Sequence, residues 1–350
     1  MIISGKKKYL LIAAAFGLLI ALLFHKVTEG NGILLRSTAN PGSVAASCPK
    51  EMVAIKGGTF HMGSDSHYAE ERSAKDVTVD SFCIERYEVT NAQFAQFVKE
   101  TGYVTVAERP LSAEAFPNLP EAKRIPGSVV FVQPSKDQPI RELQWWQWVQ
   151  GANWRHPTGP SSSIEGKENH PVVHIAIEDA QAYAKWAGKS LPTEAQWEFA
   201  ARGGLIEAIY TWGNQYSAKK ANTWQGPFPV SNTQEDGYFW TAPVGSYPAN
   251  GYGLYDMAGN VWEWTMDWYR IGHDEKAHHV NPLVSNKDES FDPREPGQAK
   301  HVIKGGSYLC APNYCSRYRP AAREAEAPDT GTSHIGFRLV KNLDGKGFSS

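Results

Sequence analysis

Four cysteines occur in the chain, and two of them, Cys310 and Cys315, lie five positions apart in the run Gly-Gly-Ser-Tyr-Leu-Cys-Ala-Pro-Asn-Tyr-Cys-Ser-Arg-Tyr-Arg, Gly305 to Arg319. Thiols so spaced can close a disulfide, hold a soft metal ion, or carry out redox chemistry. On spacing alone, a disulfide in an exported protein is the expected use. Arg317, Arg319 and Arg323 follow closely. Arginines among tyrosines more often form buried ion pairs or stack on rings than touch a substrate. His170 and His174 have the spacing of metal ligands on a helix, but the intervening Pro171-Val172-Val173 reads as extended, so both are expected to be structural. The cluster Trp145-Trp146-Gln147-Trp148 could stack a ligand; packing is the reading favoured.

The elements that position these residues must fit 350 residues, enough for one large or two small domains. Aromatics are 12% and there are 31 glycines, which suits short strands joined by turns and held by rings. A net charge of −2 without basic clusters in the body of the chain argues against nucleic acid as a partner. Lys6, Lys7 and Lys8 precede an apolar run from Tyr9 to Phe24, the pattern of an export signal. The run is short for a full span and long for a signal core, and an uncleaved anchor is preferred over a cleaved signal. Ala45-Ala46-Ser47-Cys48 lies too far downstream for a lipoprotein cleavage site. The expected organisation is an anchor or signal over 1–26, a linker over 27–47, one domain over 48–343, and a tail over 344–350. The body is expected to be periplasmic or otherwise extracytoplasmic, tethered to the inner membrane, and monomeric.

Strands are expected at Met52–Ile55, Gly57–Phe60, Val77–Val79, Phe82–Ile84, His301–Lys304 and Ile335–Val340. Thr90 caps a helix that presents Phe94, Phe97 and Val98 on one face and stops at Gly102. A second helix, from about Glu178 to Ala187, buries Tyr183 and Trp186 and ends at Gly188. Thr193 and Gln196 form a capping box for a third, which ends at Gly203-Gly204.

From Met52 to Val340 the chain resembles the formylglycine-generating enzyme (sulfatase-modifying factor) family, bacterial type. Gly57–Ser64, Tyr87–Asn91, His170–His174, Leu191–Glu198 and Gly251–Trp264 match the wider superfamily, which includes sulfoxide synthases and non-catalytic binding domains. The run Gly305–Arg319, with Ala321-Ala322-Arg323 and Pro328-Asp329, matches the enzyme itself. The resemblance implies a single α+β domain with little regular secondary structure, C-type-lectin-like. It implies oxidation by O2 of a cysteine in the Cys-x-Pro-x-Arg motif of a sulfatase polypeptide to Cα-formylglycine. By the same resemblance Cys310 and Cys315 bind Cu(I), and Ser307 and Tyr314 line the oxygen and substrate pocket. Two thiolates suit soft Cu(I), and a one-electron metal is what lets ground-state dioxygen react with a thiol. Two structural Ca²⁺ sites are implied, at Asn222, Thr223, Asp236 and Tyr238, and at Asp256, Gly259, Val261 and Glu263, with Thr223, Tyr238, Gly259 and Val261 serving through carbonyls. Cys48 and Cys83 are then expected to form one disulfide in an exported domain. Pro320 and Leu339 stand where vertebrate members carry further cysteines. The alternatives are a membrane-tethered, non-catalytic binding module of this fold, or a non-haem iron thiol-oxidising enzyme, although no iron-binding histidine motif is present.

Overall fold

Short apolar runs punctuated by glycine and proline produce short strands, and the computed structural model shows them gathered into four small sheets. It describes residues 48–113, 117–135, 137, 139–141, 143–273 and 279–343; the apolar run at 9–24 and the linker lie outside the described residues. Among the described residues no helix is long and apolar enough to cross a membrane.

Strands β1 (Met52–Ile55) and β4 (Phe82–Glu85) pair antiparallel, and β11 (Val340–Asn342) joins the other edge of β4. β2 (Gly58–Met62) pairs with β3 (Lys75–Val79), not with β1, and β5 (Gly127–Phe131) pairs with β6 (Trp146–Gln150). The largest sheet has the order β10-β7-β8-β9, from Ile335–Gly336, Trp262–Trp268, His301–Lys304 and Arg323–Glu326; β10 is parallel to β7 and the other pairs are antiparallel. The expected strand over 335–340 is therefore two strands in two sheets. Gly336 packs so closely that a Cβ there would lie 2.6 Å from the Val172 carbonyl, and Arg338 turns inward to an ion pair with Glu263, so the chain leaves one sheet before entering the next.

Among the described residues three α-helices flank the sheets. In α1 (Asn91–Thr101) the Thr90 hydroxyl accepts from the Gln93 N–H, and Gly102 ends the helix in the left-handed region at φ 68°. α2 (Ile177–Trp186) uses Asp179 on the Ala176 N–H, 3.0 Å away. α3 (Glu194–Arg202) has the Thr193–Gln196 capping box and ends at Gly203. Tyr183 is buried, but Trp186 is 38% exposed, contrary to expectation: its ring lies against Phe97 and its indole N–H donates outward to Glu100.

The core is aromatic. Phe94, Trp154, Tyr183, Trp264 and Phe337 fill one cluster, which also holds Cys310, Cys315 and Tyr318. A second packs Val77, Phe82 and Trp197; a third gathers Phe131, Trp145, Trp224, Phe228 and Tyr308. Cys48 and Cys83 are disulfide-bonded, tying the first described residue to β4. This is the expected α+β, C-type-lectin-like domain with little regular structure.

Candidate active site

Leaving β8, the chain turns at Gly305 and Gly306, both at positive φ (94° and 71°). A Cβ on Gly305 would meet the Trp197 ring at 3.0 Å, so only glycine lets the loop pass. Tyr308 then anchors the loop from inside: its N–H donates to the Asn260 carbonyl and its hydroxyl to the Ser333 carbonyl at 3.2 Å. Two tight turns follow. The Cys310 N–H donates to the Ser307 carbonyl (2.9 Å) and the Cys315 N–H to the Ala311 carbonyl (2.8 Å). This folding-back brings the two sulfurs to 2.7 Å, unbonded and 2% and 8% exposed by residue.

The two sulfurs are within hydrogen-bond distance of each other. Burial and the neighbouring thiol push Cys310 well above the ordinary thiol range, while the hydrogen bond from Cys310, aided by the Arg317 guanidinium, lowers Cys315. Cys315 is thus the more acidic thiol of the pair, and two adjacent buried sulfurs are groups that a soft cation can bind once they are deprotonated.

The sulfurs sit in a cleft of about 810 Å³ whose walls include Ser307, Tyr314, Trp146, Arg317, Thr332, His334 and residues 324–327. Ser307 and Tyr314 line this cleft together with the two cysteines. Tyr314 stacks on Phe228 at 4.2 Å and meets Trp145 edge-on at 5.4 Å. The tryptophan cluster divides: Trp145 is core, Trp146 lies against His334 on the cleft wall, and Trp148 is 48% exposed. Burial raises Glu326, at the opposite wall, to about 8.

The three arginines are ion-paired: Arg317 with Glu70 and Glu324, Arg319 with Glu71, and Arg323 with Glu194. Their partners include residues the sequence did not single out. Tyr68, Glu70 and Glu71, around a 3-10 turn at Ala69–Glu71, strap the cysteine loop from outside. The Tyr68 hydroxyl accepts from the Ser316 N–H at 3.2 Å, its ring lies 4.1 Å beneath the Arg317 guanidinium, and Glu71 grips Arg319, whose Nε donates to the Ser316 carbonyl at 2.9 Å. A tyrosine next to two glutamates, some 250 residues upstream of the loop, carries no local signal of this role.

His170 and His174 are both tied into the fold, the His170 ring nitrogen meeting the Thr241 hydroxyl at 3.0 Å. His174 is fully buried between the Ser128 hydroxyl (2.7 Å) and the Pro157 carbonyl (2.8 Å), and burial lowers it to about 4.

Two adjacent thiol groups fit a soft cation, since thiolates select such ions. The 2.7 Å separation is shorter than two ligands on one ion hold, with metal–sulfur bonds of about 2.3 Å, so the sulfurs would have to part to bind one. Among the described residues no three His, Cys, Asp or Glu side chains converge on a common point, so both calcium sets depend on carbonyls and amides. In the first set, Asp236 accepts from the Thr223 N–H (2.9 Å) and the Tyr238 N–H (3.0 Å), and the buried Asn222 Oδ1 has no hydrogen-bond partner. In the second, Asp256, Glu263 and the neighbouring Glu88 face Arg338 as the nearby cation. Burial, then Asp256 and Glu263, push Glu88 well up; burial raises Asp256 to about 6, and its Oδ1 is unpartnered. Both Glu263 oxygens already receive Arg338 at 2.7 Å. An orphaned oxygen in each set and surplus buried negative charge in the second are what a hard cation would relieve.

The family described as sulfatase-modifying factor enzyme 1-like domain matches residues 38–343. The chain is 49% identical over 304 residues to the formylglycine-generating enzyme of Mycobacterium tuberculosis, covering 83% of this chain and 97% of that one. It is 37% identical over 294 residues to a Bos taurus protein named inactive C-alpha-formylglycine-generating enzyme 2, covering 83% and 87%. The solved structure of PvdO from Pseudomonas aeruginosa superposes with a TM-score of 0.56 at 25% identity, covering 83% of this chain and 94% of that one.

Proposed function

Because the chain belongs to the sulfatase-modifying factor enzyme 1-like family, we propose that it converts a cysteine of a sulfatase polypeptide to formylglycine, with O2 as oxidant and Cu(I) held by Cys310 and Cys315. The observation that carries this reading is the Cys310–Cys315 pair, two buried, unbonded sulfurs 2.7 Å apart that line a cleft of about 810 Å³. Fold alone would not suffice, since a relative named inactive shares it.

Copper, when bound, supplies the one-electron steps that ground-state O2 needs to react with a thiol. The chain's own residues do the rest. Cys310 and Cys315 would hold the ion as thiolates, each releasing its proton to solvent; Cys315, lowered by Cys310 and Arg317, is the more readily deprotonated of the two. Tyr314, stacked on Phe228 and braced by Trp145, forms a fixed apolar wall for the substrate chain and sheds water from the sulfurs. Ser307, buried beside the pair, is held by its hydroxyl accepting from the Leu309 N–H at 3.2 Å, and keeps an oxygen lone pair for a small polar guest. Asn222 and Asp236, and Asp256 with Glu263, hold Ca²⁺ that stiffens the loops behind the site. The Cys48–Cys83 disulfide supports an extracytoplasmic setting, with the lysine-flanked apolar segment as its tether.

The test is aerobic incubation of Cu(I)-loaded protein with a Cys-x-Pro-x-Arg peptide, reading the aldehyde by mass spectrometry. Copper-dependent aldehyde that vanishes in Cys310→Ser and Cys315→Ser is expected. Aldehyde that persists in both variants, or folded protein that binds the peptide and never oxidises it, overturns the reading; the latter is the behaviour of a binding module. For calcium, chelation should lower the melting temperature and millimolar Ca²⁺ restore it, by about 3 kcal/mol at a hundredfold excess over the dissociation constant. Identical melting with and without chelator would remove calcium from the account.

A further inference from the structure

The sheet β10-β7-β8-β9 ends at β9, and among the described residues no strand or bridge pairs with the outer edge of β9. In its antiparallel register with β8, Val302↔Ala325 lies between the pairs Ile303↔Glu324 and His301↔Glu326. The Ala325 N–H turns away from β8 and donates to the Glu324 carboxylate at 2.9 Å. Two residues on, the Ala327 N–H donates to the Glu326 carboxylate at 3.2 Å. Each outward donor is thus held by the side chain of the residue before it, and because the Glu324 carboxylate is also ion-paired with Arg294 and Arg317, an incoming carbonyl can take the Ala325 N–H while the carboxylate keeps those partners. An edge kept in this way is a template for another chain. Residues 324–327 are also a wall of the cleft that contains Cys310 and Cys315.

Resting on the function proposed above, we propose that the polypeptide flanking the target cysteine docks as an added strand on the outer edge of β9, with its carbonyls taking the Ala325 and Ala327 N–H groups. The continuity of this edge with the cleft is what selects the occupant. A cysteine that must reach sulfurs buried to 2% and 8% arrives on an extended, unfolded chain, and the chain leaving the sulfurs along this wall runs beside β9. Strand addition draws affinity from the backbone and leaves side chains free, so one edge serves substrates whose flanks differ in sequence.

The experiment uses the full-length chain and fluorescent peptides in which the target cysteine is replaced by serine, so that binding is read without turnover. One peptide carries the motif alone; two others extend it by about six residues, an ordinary strand, on either side. One extended peptide should bind at least about fivefold more tightly, the worth of one net backbone hydrogen bond. Ala327→Pro removes an outward donor beyond the last ladder pair and should lower the ratio of extended to motif-only affinity by about fivefold, both peptides being measured on the same variant. A scan of single N-methyl groups along the flank needs no change to the protein; it should weaken binding at every second residue. A flat scan, or no gain from either flank, overturns the docking. So does concentration-dependent self-association that Ala327→Pro abolishes, which would give the edge to a second copy. Aldehyde formation from the cysteine-containing peptide is scored separately. Aldehyde with a flat scan sinks the docking and spares the oxidase, and an alternating scan without aldehyde does the reverse.

Discussion

The strap over the cysteine loop gives a prediction whose size follows from burial. Glu71 is 0% exposed and Arg319 4%, and they meet through two parallel hydrogen bonds. Glu71→Gln removes one charge and leaves a buried guanidinium facing a neutral amide. Breaking one side of such a pair costs about 3–5 kcal/mol, most of it the penalty of the uncompensated charge. Replacing both residues, Glu71→Met with Arg319→Met, removes the stranded charge and should recover most of that loss. What the double variant does not recover is the bond from Arg319 Nε to the Ser316 carbonyl, adjacent to Cys315. It should therefore unfold within about 1 kcal/mol of the parent, the worth of one hydrogen bond, yet bind Cu(I) more weakly. Urea unfolding of the parent, both single variants and the double gives the coupling energy directly. A Glu71→Gln cost below about 1 kcal/mol, or a double variant as unstable as the sum of the singles, would refute the claim that a buried pair holds this loop.

Two further expectations are independent of the site. Replacing Cys48 and Cys83 by alanine frees a loop of sequence separation 35 and should cost about 4 kcal/mol on the chain-entropy account, read as a shift in the urea midpoint; an unchanged midpoint would show that β1–β4 pairing alone confines that terminus. His174 is lowered to about 4 in the folded state against about 6.5 unfolded, so the unfolded chain binds the proton first as pH falls. Its stabilisation is full above pH 6.5 and is lost as pH drops towards 4, by roughly 2 kcal/mol at pH 5. His174→Asn, a residue that tolerates the φ of 61°, should flatten the dependence of melting temperature on pH over this window, and an unaltered slope would exclude His174 as its source.

What the sequence disclosed and what it hid divide by the range of the interaction. Thr90 and Gly102, and Thr193, Gln196 and Gly203, bound their helices as read, because a cap is a hydrogen bond within one turn. Trp186 was misplaced because helical phase says which residues share a face, not where the neighbouring surface ends: Tyr183 is under the core while Trp186, three residues on, overhangs its rim. The strand at 335–340 looked continuous because alternation is a local pattern, whereas its break is imposed by Glu263, 75 positions from Arg338. The same division runs through the site. Cys310 and Cys315 were legible as a pair because five residues close two tight turns within the loop itself. Tyr68 and Glu71, which fix that loop's position, were not, because an ion pair at a separation of 248 leaves nothing in either local sequence to mark it. A local motif can therefore announce a chemistry while residues far away in the chain determine whether the motif is held still enough to perform it. The strap is therefore the part of this site that only the folded chain discloses, since its residues reach the cysteine loop from 248 positions away.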